Sequence, residues 1–352
     1  MNFYETLQKD PMTLKRMIKE NNNRKERHHL RLMMFLRSIL LVAFAIVFIA
    51  SLSAVFGEEN NAMAVSMFCI LLAIRFVDFG YCIKDALINL TIVFLLLLIS
   101  PSLAHAANPM LAFLIHIVSV FIILLITCDK PEMGNGGLYS FAYIFLSGNP
   151  VESELLFKRF LMTIVCLFIC GVIFYKKHHT KHTDVRFREK LQEFNFYTHK
   201  YQWQIRMSLG VALILTLGAV FHIERYMWMG FACGSLLSDY SFESKMKEKF
   251  KQRLIGVVAG SILFYIVYTL LPHPMHSIIG IFGGILLGLC TQYKHKTALN
   301  CLGALMVASG IYGIQGAIVL RITDNLMGIL FAVVFFFLYE FFIGKYCRKK
   351  AA

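Results

Sequence analysis

The chain is short of charge, of proline and of every common catalytic signature. Charged residues fill 16% of its 352 positions, and 21 of them are acidic. A soluble domain carries about a quarter, so a soluble globular protein is excluded. Seven prolines leave long stretches without the residue that stops helices. No HExxH, no GxSxG, no paired aspartates at membrane depth and no nucleotide-binding glycine loop occur. An intramembrane enzyme is therefore a poor reading, and neither a cofactor nor ATP hydrolysis is expected. The nine cysteines form no CxxC and lie mostly inside apolar runs. They read as small core residues rather than a disulfide framework or a metal set. No cleavable signal is expected either, because the first 31 residues are polar and basic and the first apolar run is long enough to stay as a helix.

What is abundant is apolar sequence: 58% hydrophobic residues and a mean hydropathy of +0.64. It comes in recurrent runs of about 17–25 residues, the length a helical span of the bilayer requires. The fold class expected is an all-α polytopic membrane protein with about 12 transmembrane helices. The formal charge of +14 would suit a nucleic-acid partner, but its distribution argues against one. If the spans alternate from a cytoplasmic N-terminus, 31 of the 35 Lys and Arg fall inside, and Lys158, Arg159, Arg225 and Arg321 fall outside. That is the positive-inside bias, and it reports orientation. The partners expected are membrane lipids and no nucleic acid.

The organising stretch is Arg253 to Pro272, RLIGVVAGSILFYIVYTLLP, led by the cationic KMKEKFKQ. Gly256 and Gly260 fall on one helix face, where another backbone can approach closely. Gly280, Gly284 and Gly288 form a second packing row. In chain order, 1–31 is a basic cytoplasmic tail in which a short interfacial helix is favoured beside an anionic leaflet. A first six-helix membrane unit covers 32–175, a basic cytoplasmic linker 176–205, a second unit 206–343, and a basic cytoplasmic tail 344–352. The linker holds His178, His179 and His182, but without carboxylates or cysteines at matched spacing it reads as solvated rather than metal-binding.

The halves share landmarks at nearly constant offset: Arg37 and Arg206, Lys84 and Arg253, Pro101 and Pro272, Arg159 and Arg321. This suggests duplication of a six-helix unit, and six being even, the two repeats are parallel. The fifth helix of each is irregular. In the first, a nine-residue apolar run is bracketed by Gly136, Gly137, Gly148 and Pro150; in the second, Gly303, Gly310, Gly313 and Gly316 interrupt it. Broken spans at matching places point to a transport site, with close packing of small residues the competing explanation. After each broken helix an arginine, Arg159 or Arg321, begins the next, where helix-end N–H groups and a guanidinium would favour an organic anion. Snorkelling at the interface is the bland alternative. Substrate-path candidates are thus Arg75, Arg159, Arg321, Gly148, Gly310 and Gly313. Arg75 either pairs with Asp78 or faces an aqueous path. His116 reads as a hydrogen-bonded core histidine.

RMSLGVALILTLG (206–218), YMWMGFACGSLL (226–237), KQRLIGVVAGSILFYIVYTLLP (251–272) and RITDNLMGILFAVV (321–334) resemble the fusaric acid resistance-like family. That group includes bacterial aromatic acid exporters and, more distantly, plant aluminium-activated malate transporters. The resemblance implies efflux of aromatic or other organic carboxylates across a bacterial inner membrane, with no enzymatic activity. It also implies a single-chain pseudo-dimer with the path near its pseudo-twofold axis, compatible with further homo-oligomers. A passive organic-anion channel and a non-transporting scaffold docking a partner through the linker are the alternatives.

Overall fold

The structure, a computed structural model, describes residues 3–240 and 242–344. The tail expected at 344–352 lies, beyond Gly344, outside the described residues. Among the described residues the chain is all helical, with no strand. The helices are α1 (Phe3–Gln8), α2 (Pro11–Glu20), α3 (Arg24–Phe56), α4 (Asn61–Ile74), α5 (Ile83–Ala106), α6 (Pro109–Thr127) and α7 (Asn135–Ser147). They continue with α8 (Ser153–His178), α9 (Phe187–Gln192), α10 (His199–Val220), α11 (Met227–Leu237), α12 (Phe242–Leu270), α13 (Ser277–Leu289) and α14 (Tyr293–Tyr339).

Among the described residues, seven segments are long and apolar enough to cross a membrane: α3, α5, α6, α8, α10, Lys247–Leu270 of α12, and the run Tyr293–Gly344. Twelve full spans were expected, and helix length accounts for much of the difference. Four apolar helices, α4, α7, α11 and α13, have 14, 13, 11 and 13 residues. At about 1.5 Å per residue they fall short of a hydrocarbon core about 30 Å thick. The run α14 holds two helices, one before and one after Gly313, where the backbone leaves helical geometry.

Capping explains several boundaries. Asp10 accepts from the amides of Met12 and Thr13 at 2.8 and 3.0 Å, and Pro11 occupies the first turn, so α2 starts there. Asn108 accepts from the Leu111 amide at 2.9 Å and Pro109 opens α6 in the same way. Pro101, one of the repeat landmarks, is buried inside α5, which continues to Ala106. Membrane helices tolerate an internal proline where neighbouring groups satisfy the freed carbonyl.

Among the described residues the chain forms two compact units that interleave in sequence, the first built from the segment up to Val47 with Lys247–Asn325, the second from Phe48–Met246 with the segment that starts at Leu326. In the second, α10 packs along α6, α5 packs on α6 and α8, α4 on α7 and α8, and α11 on α7 and α10. Met63, Met67, Phe94, Tyr139, Tyr143 and Trp203 are fully buried there. Polar ties reinforce the packing, with Trp203 Nε1 donating to the Leu237 carbonyl at 3.1 Å and Gln204 Nε2 to that of Leu124 at 3.2 Å. The outer faces are apolar: Phe168 on α8 is 72% exposed and Met110 on α6 equally so, as a lipid-facing surface requires.

In the first unit, small residues set the approach of the helices. A Cβ on Gly256 would lie 2.7 Å from the Lys294 carbonyl, and one on Gly260 would lie 2.7 Å from the Ala298 Cα. The backbones of α12 and α14 are therefore in direct contact, a geometry that small residues permit and larger ones forbid. Gly284 faces Val42 and Gly288 faces Ser38, bringing α13 against the first half of α3, where Ser38 Oγ donates to the Ile285 carbonyl. Gly280 has looser surroundings, with Gly303 Cα at 4.0 Å from an added Cβ.

Candidate functional site

The polar centre of the first unit is built from α12 and α14. Gly313 has φ 69° and ψ 170°, a conformation open essentially to glycine, and it separates a helical stretch before it from one after it. Two links show that these stretches run alongside each other. Arg321 lies against Cys301. Arg253 Nη1 donates to Tyr293 Oη at 3.0 Å, while its Nη2 donates to Asn325 Oδ1 at 2.9 Å. Asn325 Nδ2 in turn donates to the Arg321 carbonyl at 2.8 Å. Asp324 and Arg253 also act electrostatically on Arg321. Arg253, Arg321, Asp324 and Asn325 are all buried.

Arg321 therefore occupies a helix interior rather than a helix start. It stands eight residues past the break at Gly313, beside a neighbouring stretch that shields it. Two guanidinium groups, a carboxylate and an amide thus share one buried cluster. Charged groups at such depth are costly and mark functional positions by default, and guanidinium is the side chain whose geometry matches a carboxylate in two-point contact.

The sequence reading missed the partners of Arg321. Asp324 and Asn325 follow it by three and four residues, which puts all three on one helix face. That polar face in an apolar helix was a usable signal. Tyr293, Cys301 and Arg253 carry no comparable one, because their approach depends on the reversal at Gly313.

Around the glycines the surroundings differ. A Cβ at Gly310 or Gly313 would have nothing within 4 Å, so close packing does not account for either. Gly148 caps α7 and abuts Met227, whose Cβ would be 2.5 Å from a Cβ added there. Helix-to-helix contact accounts for that position.

Arg159 belongs to the second unit and is 1% exposed. Its Nε donates to Asn60 Oδ1 at 2.9 Å, Nη1 and Nη2 both donate to the Asn149 carbonyl at 3.3 Å, and Nη2 also reaches the Glu59 carbonyl at 3.4 Å. It ties the turn after α3 to the turn after α7. Arg75 follows the last residue of α4, half-buried, with its guanidinium 5.4 Å from the Phe76 ring centroid. Asp78 is bonded elsewhere. His116 Nδ1 lies 2.9 Å from Tyr143 Oη in the core.

The linker expected at 176–205 is not simply solvated. Asp78 takes Lys181 at 3.2 Å and His182 at 3.2 Å. Asp85 takes Arg186 at 2.9 Å and the Phe187 amide at 2.9 Å. Asp129 takes Lys200 at 3.0 Å and Lys190 at 3.6 Å. A backbone bond from the Cys82 amide to the Val185 carbonyl, 2.8 Å, completes the clasp. Burial alone would raise the Asp78 carboxyl, but the hydrogen bond and charge of Lys181, with His182 adding, hold it below its ordinary 3.8. The three histidines do not converge: His178 bonds the Ile74 carbonyl, His179 the Tyr175 carbonyl, and His182 Asp78.

Helices of this length and apolarity are those of a multi-pass membrane protein. Residues 211–335 match the family model described as fusaric acid resistance protein-like. The match runs from α10 into the last stretch of α14 and contains Arg253, Arg321, Asp324 and Asn325. Neither a curated protein nor a solved structure matches the chain.

Proposed function

We propose that the protein transports small organic anions, aromatic or other carboxylates, outward across a bacterial inner membrane with both termini cytoplasmic. The observation that carries this reading is the buried cluster in which Arg253 and Arg321 act on each other electrostatically beside Asp324 and Asn325, on helices that turn back at Gly313. Two guanidinium groups in one buried cluster offer a carboxylate charge and in-plane donors. The turn at Gly313, eight residues along the helix from Arg321, supplies irregular backbone of the kind that membrane proteins confine to cavities and binding sites.

The two parallel six-helix repeats, 32–175 and 206–343, are part of the same proposal, as is the single-chain pseudo-dimer. The length order of the first three helices in each supports them. Long α3 is followed by short α4 and long α5, and long α10 by short α11 and long α12, with α9 in the linker between. The two stretches of α14 then correspond in order to α7 and α8, although α6 and α7, with 19 and 13 residues, differ in length from their counterparts, 13-residue α13 and the first stretch of α14. In this arrangement the external role of Arg159 is to fix loops, and Arg321 belongs to the path.

The test is flux of a small aromatic carboxylate in proteoliposomes, with and without a proton gradient. Gradient-dependent flux that falls in Arg321→Gln supports coupled export. Gradient-independent current through the same residue makes the protein a channel. Absence of flux across a panel of carboxylates overturns the proposal in favour of a scaffold.

A further inference from the structure

Beyond the transported solute, we infer a binding site for an anionic phospholipid on the outer face of the second unit, between α5 and α8. An open, shallow groove of about 400 Å³ lies there. Leu87 of α5 and Leu167, Phe168 and Val172 of α8 line it, Gly171 leaves the gap between them, and Tyr175 and Lys176 close one end. The lining is thus apolar along its length and cationic at one end, the polarity of an acyl chain below a negative headgroup.

The charges at that end favour this occupant. α8 finishes and α5 begins there, so Lys176 and Lys177 in the last turn of α8 come with Lys84 in the first turn of α5. All three are exposed. The acids nearby in sequence are engaged by the linker: Asp78 by Lys181 and His182, Asp85 by Arg186. Lys84, Lys176 and Lys177 have no ion pair among the described residues. They stand over an apolar groove as cations open to an external anion, and a basic rim at the membrane surface attracts anionic lipid. Gly171 gives the groove its depth. A Cβ there would rest 3.7 Å from Leu87 Cδ2, an ordinary contact, so a side chain can start from this position toward the groove.

The experiment is native mass spectrometry of the delipidated full-length protein, titrated with phosphatidylglycerol or with phosphatidylcholine. The expected result is one phosphatidylglycerol retained in preference to phosphatidylcholine. Lys176→Gln and Lys84→Gln should each lower that preference about fivefold, as loss of one lysine near an anionic surface implies. Gly171→Leu should remove retention of both lipids. Thermal unfolding in detergent checks the fold of each variant, and the two lysine variants, being on the surface, test the site even if Gly171→Leu misfolds. Equal retention of both lipids by the unaltered protein, or phosphatidylglycerol retention unchanged in both lysine variants, overturns the inference. So does a lipid-free dimer that Gly171→Leu dissociates, which would give the groove to a second copy of the chain.

Discussion

Arg253 and Asn325 are 72 residues apart in the chain and 2.9 Å apart in space. The contact depends on the reversal of α14 at Gly313, which returns Asn325 alongside α12. Because Asn325 also donates to the Arg321 carbonyl, it holds one guanidinium and orients the helix that carries the other. Asn325→Leu should therefore release Arg253 at a cost of about 1.5–3 kcal/mol, the worth of a hydrogen bond to a charged group. Thermal unfolding in detergent measures this, and an unchanged midpoint would mean that the bond does not order the cluster.

Gly313→Ala tests the reversal itself. Space is not the obstacle, since nothing lies within 4 Å of an added Cβ. The backbone is, with φ 69° and ψ 170°, and the strain expected is about 1–3 kcal/mol. Gly310→Ala, equally open but helical, should be neutral or slightly stabilising. A melting series in which the two variants behave alike would contradict this.

Gly260→Ala should be among the more damaging of the glycine substitutions in α12 and α13. Its Cβ would lie 2.7 Å from the Ala298 Cα, backbone that cannot step aside, and overpacking of this kind costs about 1–3 kcal/mol. Gly280→Ala, with 4.0 Å to Gly303, should leave stability within about 0.5 kcal/mol. Equal destabilisation would mean that α12 and α14 are not in backbone contact.

Helix character was legible in the chain because apolar runs such as 86–100 and 160–174 leave no other way to satisfy the backbone in lipid. The short helices were less so. An apolar run says nothing about whether a helix crosses fully, and α4, α7, α11 and α13 stop early at turns and caps. Arg321 stood out as an ionisable residue at the edge of an apolar run. Its company did not, because Arg253 and Cys301 reach it only through a tertiary reversal at one of four nearby glycines, and the chain does not mark which of them turns. The clasp was hidden differently: Asp78, Asp85 and Asp129 look like ordinary helix-end charges until the linker folds across them.

Acid should loosen that clasp. The Asp78 carboxyl titrates below its ordinary 3.8 in the folded protein, so its contribution is fully present above 3.8 and is lost as pH falls through the lower, folded value. Asp78→Asn should mimic that loss at neutral pH. Because Lys181 is 47% exposed, the effect is small, about 0.2–1 kcal/mol. It should appear as faster hydrogen exchange at amides 181–187 and no change within α10. Unchanged exchange there would mean that Asp78 does not hold the linker.

Arg159 and Arg321 should fail in different ways. Arg159→Gln removes several bonds from a buried guanidinium to neutral acceptors, so about 2–4 kcal/mol of stability should be lost, while any folded fraction transports normally. Arg321→Gln also removes a buried charge beside Asp324, so stability should fall as well, but the fraction that stays inserted and folded should show reduced anion flux. The measurement that bears most directly on the account is therefore carboxylate flux in proteoliposomes for the unaltered protein and Arg321→Gln, each normalised to folded, inserted protein. The account predicts a fall of about tenfold or more, the effect of losing one desolvated charge contact of about 1.4 kcal/mol or greater. Flux equal to that of the unaltered protein would contradict it.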